Sequence, residues 1–242
     1  SLANPAGERF EFFWQRNEEN FSTDDIAILG SEEPINYSYL RHRSNCSFFS
    51  NQKDSLKKAK NLGFSIQTNI NKKFNTIILE ITKSTDHNLS LFATAEESLN
   101  LRGVIILNGN NNLGIQSLIK KISYHWEPAH LVVKRRGRIA IYIKEFPLSR
   151  QIKHWKELSK LKINKDGYYT CADMFSPKQI DKGSRTLASV LKNSLNGEVA
   201  DLGSGWGYLS KSVLSTNCEI EKITMFEKNF SAINAAKLNV LD

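Results

Sequence analysis

The chain has 242 residues, 40% of them apolar and 24% charged, with a formal net charge of +8. That length and composition allow one large domain or two small ones, each with a real core. No stretch approaches the roughly 20 apolar residues a membrane-spanning helix needs. The opening SLANPAGERF has no basic start followed by an apolar run, so neither a membrane span nor a secretory leader is expected.

From residue 24 onward, strand-like and helix-like pieces alternate. Asp25 to Leu29 and Cys46 to Phe49 read as buried strands, and Lys53 to Leu62 as a helix ended by Gly63. Phe64 to Thr68 and the β-branched, apolar Asn75 to Thr82 read as strands. Asn88 to Asn100 follows as a helix, Gly103 to Leu107 as a buried strand, and Ile115 to Trp126 as a helix with helical apolar spacing. Residues 130 to 146 are two apolar runs flanking Arg135-Arg136-Gly137, which spells a β-hairpin. Such alternation implies a mostly parallel sheet covered by helices. Here it is closed by an antiparallel pair.

Pro147 breaks the pattern. The next stretch places Ile152, Trp155, Leu158 and Leu161 on one helical face, and a connecting helix is expected there. Between Arg150 and Lys165 six Lys or Arg stand against one acid, Glu157. With KKAK (57 to 60) and KRRGR (134 to 138), this basic surface suits a polyanion such as RNA. The second half restarts the same kind of fold. Asp181 to Leu195, Tyr208 to Leu214 and Phe230 to Val240 read as helices, Glu198 to Leu202 and Lys222 to Phe226 as strands.

The stretch that carries chemistry is EVADLGSGWGYLS, 198 to 210: a strand, an acid, three alternate glycines and a helix start. Gly203, Gly205 and Gly207 let a ligand approach the backbone. The helix start behind them offers free N–H groups. The spacing is not the dinucleotide Gly-x-Gly-x-x-Gly, because Tyr208 occupies the third slot. Asp201, at the strand end, would repel a pyrophosphate and attract a cationic ligand. S-adenosylmethionine carries an ammonium and a sulfonium and no phosphate, so the loop favours it over NAD. Glu227, at the end of the next strand, is an acid that can accept both ribose hydroxyls of an adenosine.

VADLGSGWGYLS followed by FEKN resembles motifs I and II of class I S-adenosylmethionine-dependent methyltransferases. The upstream MFSPKQIDKGSRTLASVL, with Phe175, Ser176, Asp181, Gly183 and Ser184, resembles the segment before motif I in bacterial ribosomal RNA guanine-N2 methyltransferases of the small-domain type. That resemblance implies two tandem Rossmann-like methyltransferase domains of α/β class. The first would be degenerate with a terminal β-hairpin. The second would be truncated after its second strand and helix. The expected organisation is 1–147 for the degenerate domain, 148–170 for a basic connecting helix or linker, and 171–242 for the N-terminal half of the cofactor-binding domain. The resemblance adds Asp181 and Ser184 to the cofactor-binding candidates.

In the first copy the corresponding loop reads LGSEEPIN, and its second strand ends in Ser50-Asn51-Gln52 without a ribose acid. That copy is expected not to bind the cofactor, and to recognise RNA or support the second copy. The family's catalytic Asn-Pro-Pro-aromatic signature is not in this sequence, whose Asn4-Pro5 is read as an N-terminal turn. The expectation is therefore of a portion of a longer protein, with catalytic residues unassigned. Trp206, inside the loop, could line the methionine pocket or cap the helix.

The expected activity is methyl transfer to an exocyclic amine of RNA, most plausibly guanine N2, with ribosomal RNA or a ribosomal subunit as partner. A methyltransferase acting on protein or a small molecule, and a non-catalytic RNA-binding fragment, are the alternatives. Cys46, Cys171 and Cys218 lie too far apart for a disulfide framework or a metal-ligand spacing, which points to structural roles in a reducing cytoplasm. The five histidines, His42, His87, His125, His130 and His154, form no metal or acid–base constellation, so no metal is expected.

Overall fold

The computed structural model describes residues 4–241 and divides the chain into two compact units. One comprises residues up to 50 together with 54–158, the other 51–53 together with the residues from 159 onward.

The first unit opens with a helix, α1 (Pro5–Asn17), so the Asn4-Pro5 expected as a turn is a helix start. Asn4 caps it by accepting from the Ala6 N–H (3.1 Å), Pro5 fits the first turn, and Phe10, Phe13 and Trp14 share its buried stripe. Then follow β1 (Ile26–Leu29), β2 (Cys46–Phe49), α2 (Lys53–Asn61), β3 (Ser65–Gln67), β4 (Phe74–Glu80), α3 (Thr85–Glu97), β5 (Leu99–Asn110), α4 (Ile115–Ser123), β6 (His130–Lys134), β7 (Gly137–Ile143) and α5 (Arg150–His154).

The strands form one seven-stranded sheet in the order β3-β2-β1-β4-β5-β7-β6. The first five run parallel, and β7 lies antiparallel between β5 and β6. This is a seven-stranded Rossmann-like sheet with the terminal hairpin its sequence implied. Central strands covered on both faces need side chains that are apolar on both, which is why IAIL and the Ile77-Ile78-Leu79 run of β4 are unbroken and apolar. One face buries Leu29, Ile77, Leu79, Ile105 and Leu107 under α3, α4 and α5. The alternate residues Ile28, Ile78 and Ile106 face the side on which α1 packs against β5 and β7.

Several boundaries move from their expected places, three of them for clear local reasons. Ser84 accepts from the His87 N–H (3.2 Å) and starts α3 at Thr85, and β5 claims Leu99 onward. Asn193, in the left-handed region (φ 57°), lies just beyond the end of α6 (Lys182–Val190), so that helix does not reach Leu195. The expected connecting helix is a single short segment, α5, continued by a 3-10 turn from Trp155 to Ser159. Ile152 and Trp155 bury themselves in the first unit's core with Leu158 against it, while Leu161 is exposed. Beyond it the chain enters a small hairpin, β8 (Lys162–Ile163) with β9 (Tyr169–Thr170). Asn164 drives that turn by accepting from the Asp166 and Tyr168 N–H groups (3.0 and 3.1 Å), with Gly167 left-handed.

The second unit continues with α6, β10 (Asn196–Leu202), α7 (Tyr208–Thr216), β11 (Glu219–Phe226) and α8 (Phe230–Leu241). The strands β10 and β11 pair in parallel, and α7 packs on both α6 and α8. The α8 face that packs inward is made of Ala232, Ala235, Ala236 and Asn239. Leu202 and Phe226 are exposed at the strand ends. No helix among the described residues is long and apolar enough to cross a membrane.

Candidate cofactor site

The loop joining β10 to α7 is sewn to the neighbouring strand. Asp201 pairs with Met225 and Leu202 with Phe226, and the N–H groups of Gly203 and Ser204 both donate to the Phe226 carbonyl (2.8 and 3.1 Å). Asp201 therefore stands near the carboxyl end of β10, and Glu227 just past the end of the adjacent parallel β11, two residues beyond the partner of Asp201. Ser210, on the first turn of α7, donates to Asp201 Oδ2 (2.6 Å) and fixes that carboxylate. The Lys228 N–H donates to Glu227 Oε1 (3.1 Å).

All three glycines are left-handed, with φ of 73° at Gly203, 54° at Gly205 and 95° at Gly207. They are not equivalent. A Cβ on Gly203 or Gly205 would meet nothing within 4 Å, so the space above both is open. A Cβ on Gly207 would lie 2.7 Å from Val240 Cγ2 and 3.3 Å from Ala236 Cα. The first two glycines leave room for a ligand, and the third lets α7 start against α8. Gly207, at the N-cap of α7, offers no side chain to cap its first N–H groups.

Trp206 neither opens into this space nor caps the helix. Its ring is 6% exposed, packed among Met174, Ala232 and Ala235 and 5.0 Å from the Tyr168 ring, and Nε1 donates to the Phe175 carbonyl (3.1 Å). The tryptophan is the loop's anchor. Its own carbonyl is held by Asn239 Nδ2 (2.8 Å), which also donates to the Tyr169 carbonyl (2.8 Å) while Asn239 Oδ1 accepts from the Tyr169 N–H (2.7 Å). Asn239 escaped the sequence reading, although a lone amide on the buried face of an Ala-rich helix is itself a signal of a polar tie.

Asp181 and Ser184 do not share this arrangement of strand ends. Asp181 is the N-cap of α6, accepting from the Ser184 N–H (3.0 Å) and hydroxyl (3.4 Å). Ile180, just before the cap, packs against the cluster around Trp206.

The first unit's strand ends are filled instead. At Gly30 a Cβ would run into the Glu80 carbonyl, and the loop after it folds inward. Glu80, at the end of β4, accepts from the Tyr37 hydroxyl (2.8 Å), Asn36 Nδ2 (2.9 Å) and Ser31 Oγ (3.4 Å). Tyr37 also accepts from Asn108 Nδ2 (3.2 Å), and α1 lays the buried Arg9 beside it, donating to Asn108 Oδ1 (2.8 Å). Burial pushes the Glu80 carboxyl up from the ordinary carboxylate range, and those donors pull it back. The second unit thus has open glycines at its strand ends, where the first unit has a packed polar plug.

The residues present in the second unit fit S-adenosylmethionine. A pyrophosphate over Gly203 and Gly205 would rest against two carboxylates, whereas an ammonium and a pair of ribose hydroxyls find acceptors there. Among the described residues no three His, Cys, Asp or Glu side chains converge as a metal site.

Comparison with known families agrees with this geometry. The methyltransferase small domain N-terminal model matches residues 13–136, and the methyltransferase small domain model matches residues 167–242. The chain belongs to the methyltransferase small-domain family. A ribosomal RNA small subunit methyltransferase C of Psychromonas ingrahamii is 25% identical, over 99% of this chain and 72% of that protein. One from Haemophilus influenzae is 28% identical over 54% of this chain, a match that spans only 40% of the relative. A solved T. thermophilus 16S rRNA N2 methyltransferase, in complex with S-adenosylmethionine and guanosine, superposes with a TM-score of 0.77. It is 14% identical, and the match covers 99% of this chain and 67% of that one, a likeness of fold.

Proposed function

We propose that this protein serves S-adenosylmethionine-dependent methylation of an exocyclic amine of RNA, guanine N2 of small-subunit ribosomal RNA. The carrying observation is the pair of strand-end carboxylates, Asp201 and Glu227, beside two glycines with open space above them. The family and the names of its small-subunit methyltransferase relatives support the RNA substrate, and the +8 charge suits it.

In this reading Asp201 receives the ammonium end of the cofactor and Glu227 its ribose. Gly203 and Gly205 give the backbone approach. Trp206, Asn239 and Ser210 hold the loop and its acid still, so little is reorganised on binding. Asp181 and Ser184 act one step away, by fixing the start of α6. Bound S-adenosylmethionine supplies the methyl group at its sulfonium. The chain's part is to orient it for in-line transfer.

The test is incorporation of labelled methyl from S-adenosylmethionine into small-subunit ribosomal RNA, followed by nucleoside digestion. N2-methylguanosine as the labelled product supports the reading. Label in protein instead, or in another nucleoside, replaces it.

A further inference from the structure

The turn between β6 and β7 has a chemistry that its fold does not require. Its two central residues, Arg135 and Arg136, lie at φ 49° and 52°. A two-residue hairpin with both centres left-handed ordinarily takes Asn-Gly or Asp-Gly, because L side chains resist that region. Here both positions carry an exposed arginine.

The strained turn is braced from beneath. Arg9 Nη1 donates to the Lys134 and Arg135 carbonyls (3.2 and 3.1 Å), and its Nη2 donates to Asn110 Oδ1 (2.7 Å). The Asn111 N–H donates to the Arg136 carbonyl (2.9 Å). Gly137 is a glycine because any Cβ there would strike the Arg9 guanidinium. A buried arginine thus fixes the backbone of the turn whose side chains point to water.

More cations gather around it. Lys134 Nζ and the Arg16 guanidinium sit over the Phe12 ring, 3.6 and 3.7 Å from its centre. Arg138, on the far side of the turn, has a buried Nε without a hydrogen-bond partner. The acid paired with the turn is Glu8, 2.8 Å from Arg135 Nε.

We propose that the β6–β7 turn is a preorganised contact for the phosphodiester backbone of RNA, with Arg135 and Arg136 each taking a phosphate and Arg135 exchanging Glu8 for it. Planar guanidinium groups suit bidentate phosphate contacts, and a backbone fixed in advance spares the ordering cost. The inference rests on the RNA reading above and gives it a surface.

The experiment replaces the pair by the residues the turn geometry prefers, Arg135→Asn with Arg136→Gly, and measures anisotropy of a labelled RNA stem-loop. Two lost phosphate contacts at ~0.7–0.9 each make the log–log salt slope shallower by about 1.4–1.8, and weaken binding about 25- to 60-fold at ~0.1 M salt. The melting temperature of the same variant should rise, because the turn is relieved. Arg135→Lys with Arg136→Lys should keep most of the salt slope, since the charges remain. Slope and affinity unchanged in the Asn-Gly variant overturn the proposal. So does a fall in its melting temperature, which would make the arginines structural. If wild-type protein binds the stem-loop without salt dependence, the RNA reading itself fails.

Discussion

Replacing each loop glycine by alanine separates ligand space from packing. At Gly203 and Gly205 the new methyl meets nothing, so the loss is the left-handed backbone cost, ~1–2 kcal/mol, partly offset by a stiffer unfolded chain. Net losses of about 1 kcal/mol are expected there. At Gly207 the same backbone cost is joined by a methyl 2.7 Å from Val240 Cγ2. Overpacking of that kind adds ~1–3 kcal/mol, for a total of about 2–4 kcal/mol. Urea unfolding of the three variants should therefore rank Gly207→Ala as clearly the least stable. Cofactor affinity should rank the other way. Gly203→Ala and Gly205→Ala put carbon into the space the ligand needs and should weaken S-adenosylmethionine by tenfold or more. Gly207→Ala, measured at a temperature where it is folded, should stay within a few-fold of wild type. A folded Gly203→Ala protein that binds the cofactor normally would refute the reasoning, as would equal stability of all three.

Two further outcomes follow from buried ionisable groups. The Glu80 carboxyl is pushed up by burial, so the folded state holds its proton more tightly than the unfolded state. Stability from this group is thus lost as pH rises from the ordinary carboxylate value through Glu80's own raised one. Denaturation at mildly acidic and neutral pH should show that loss in wild type and less of it in Glu80→Gln; an identical pH profile in both contradicts the assignment. Burial also pushes the Cys171 thiol up to about 12, reinforced by Asp173, and the Cys46 thiol up to about 11. Native protein near neutral pH should therefore release one equivalent in a thiol-reagent assay, from the exposed Cys218, and three only after unfolding. Rapid reaction of Cys171 in the native state would count against the burial of its loop.

Much of the fold was legible because the central sheet strands of the first unit are buried on both faces. Runs such as TIILE and GVIIL have no polar alternative, and the Arg-Arg-Gly turn marks the hairpin. Boundaries were less legible, because they depend on single caps such as Ser84 and on backbone at positive φ such as Asn193. α1 is hard to read although Phe10, Phe13 and Trp14 carry helical spacing, because the Asn-Pro at its start is as good a turn as a helix cap. The connecting helix is shorter than its apolar stripe suggests, because the stripe does not reveal that Asn164 and Gly167 turn the chain back.

The site divides in the same way. The acids and glycines of the loop follow from strand-end position and charge, and the structure brings Asp201, Gly203, Gly205, Gly207 and Glu227 together. Trp206 could not be placed from sequence, since its direction is decided by Met174, Tyr168 and the Phe175 carbonyl, distant in the chain. The plug in the first unit was equally hidden. Arg9, Tyr37, Glu80 and Asn108 lie on four separate elements, and only the sheet order brings them together.

The most direct measurement of the central claim is a calorimetric titration of S-adenosylmethionine into the wild-type protein, Asp201→Asn and Glu227→Gln, with NAD as the comparison ligand. A charge-assisted hydrogen bond is worth ~1.5–3 kcal/mol, so each variant should bind S-adenosylmethionine about 10- to 100-fold more weakly. NAD should bind poorly to wild type. Undiminished affinity in Asp201→Asn, or wild-type preference for NAD, would contradict the account.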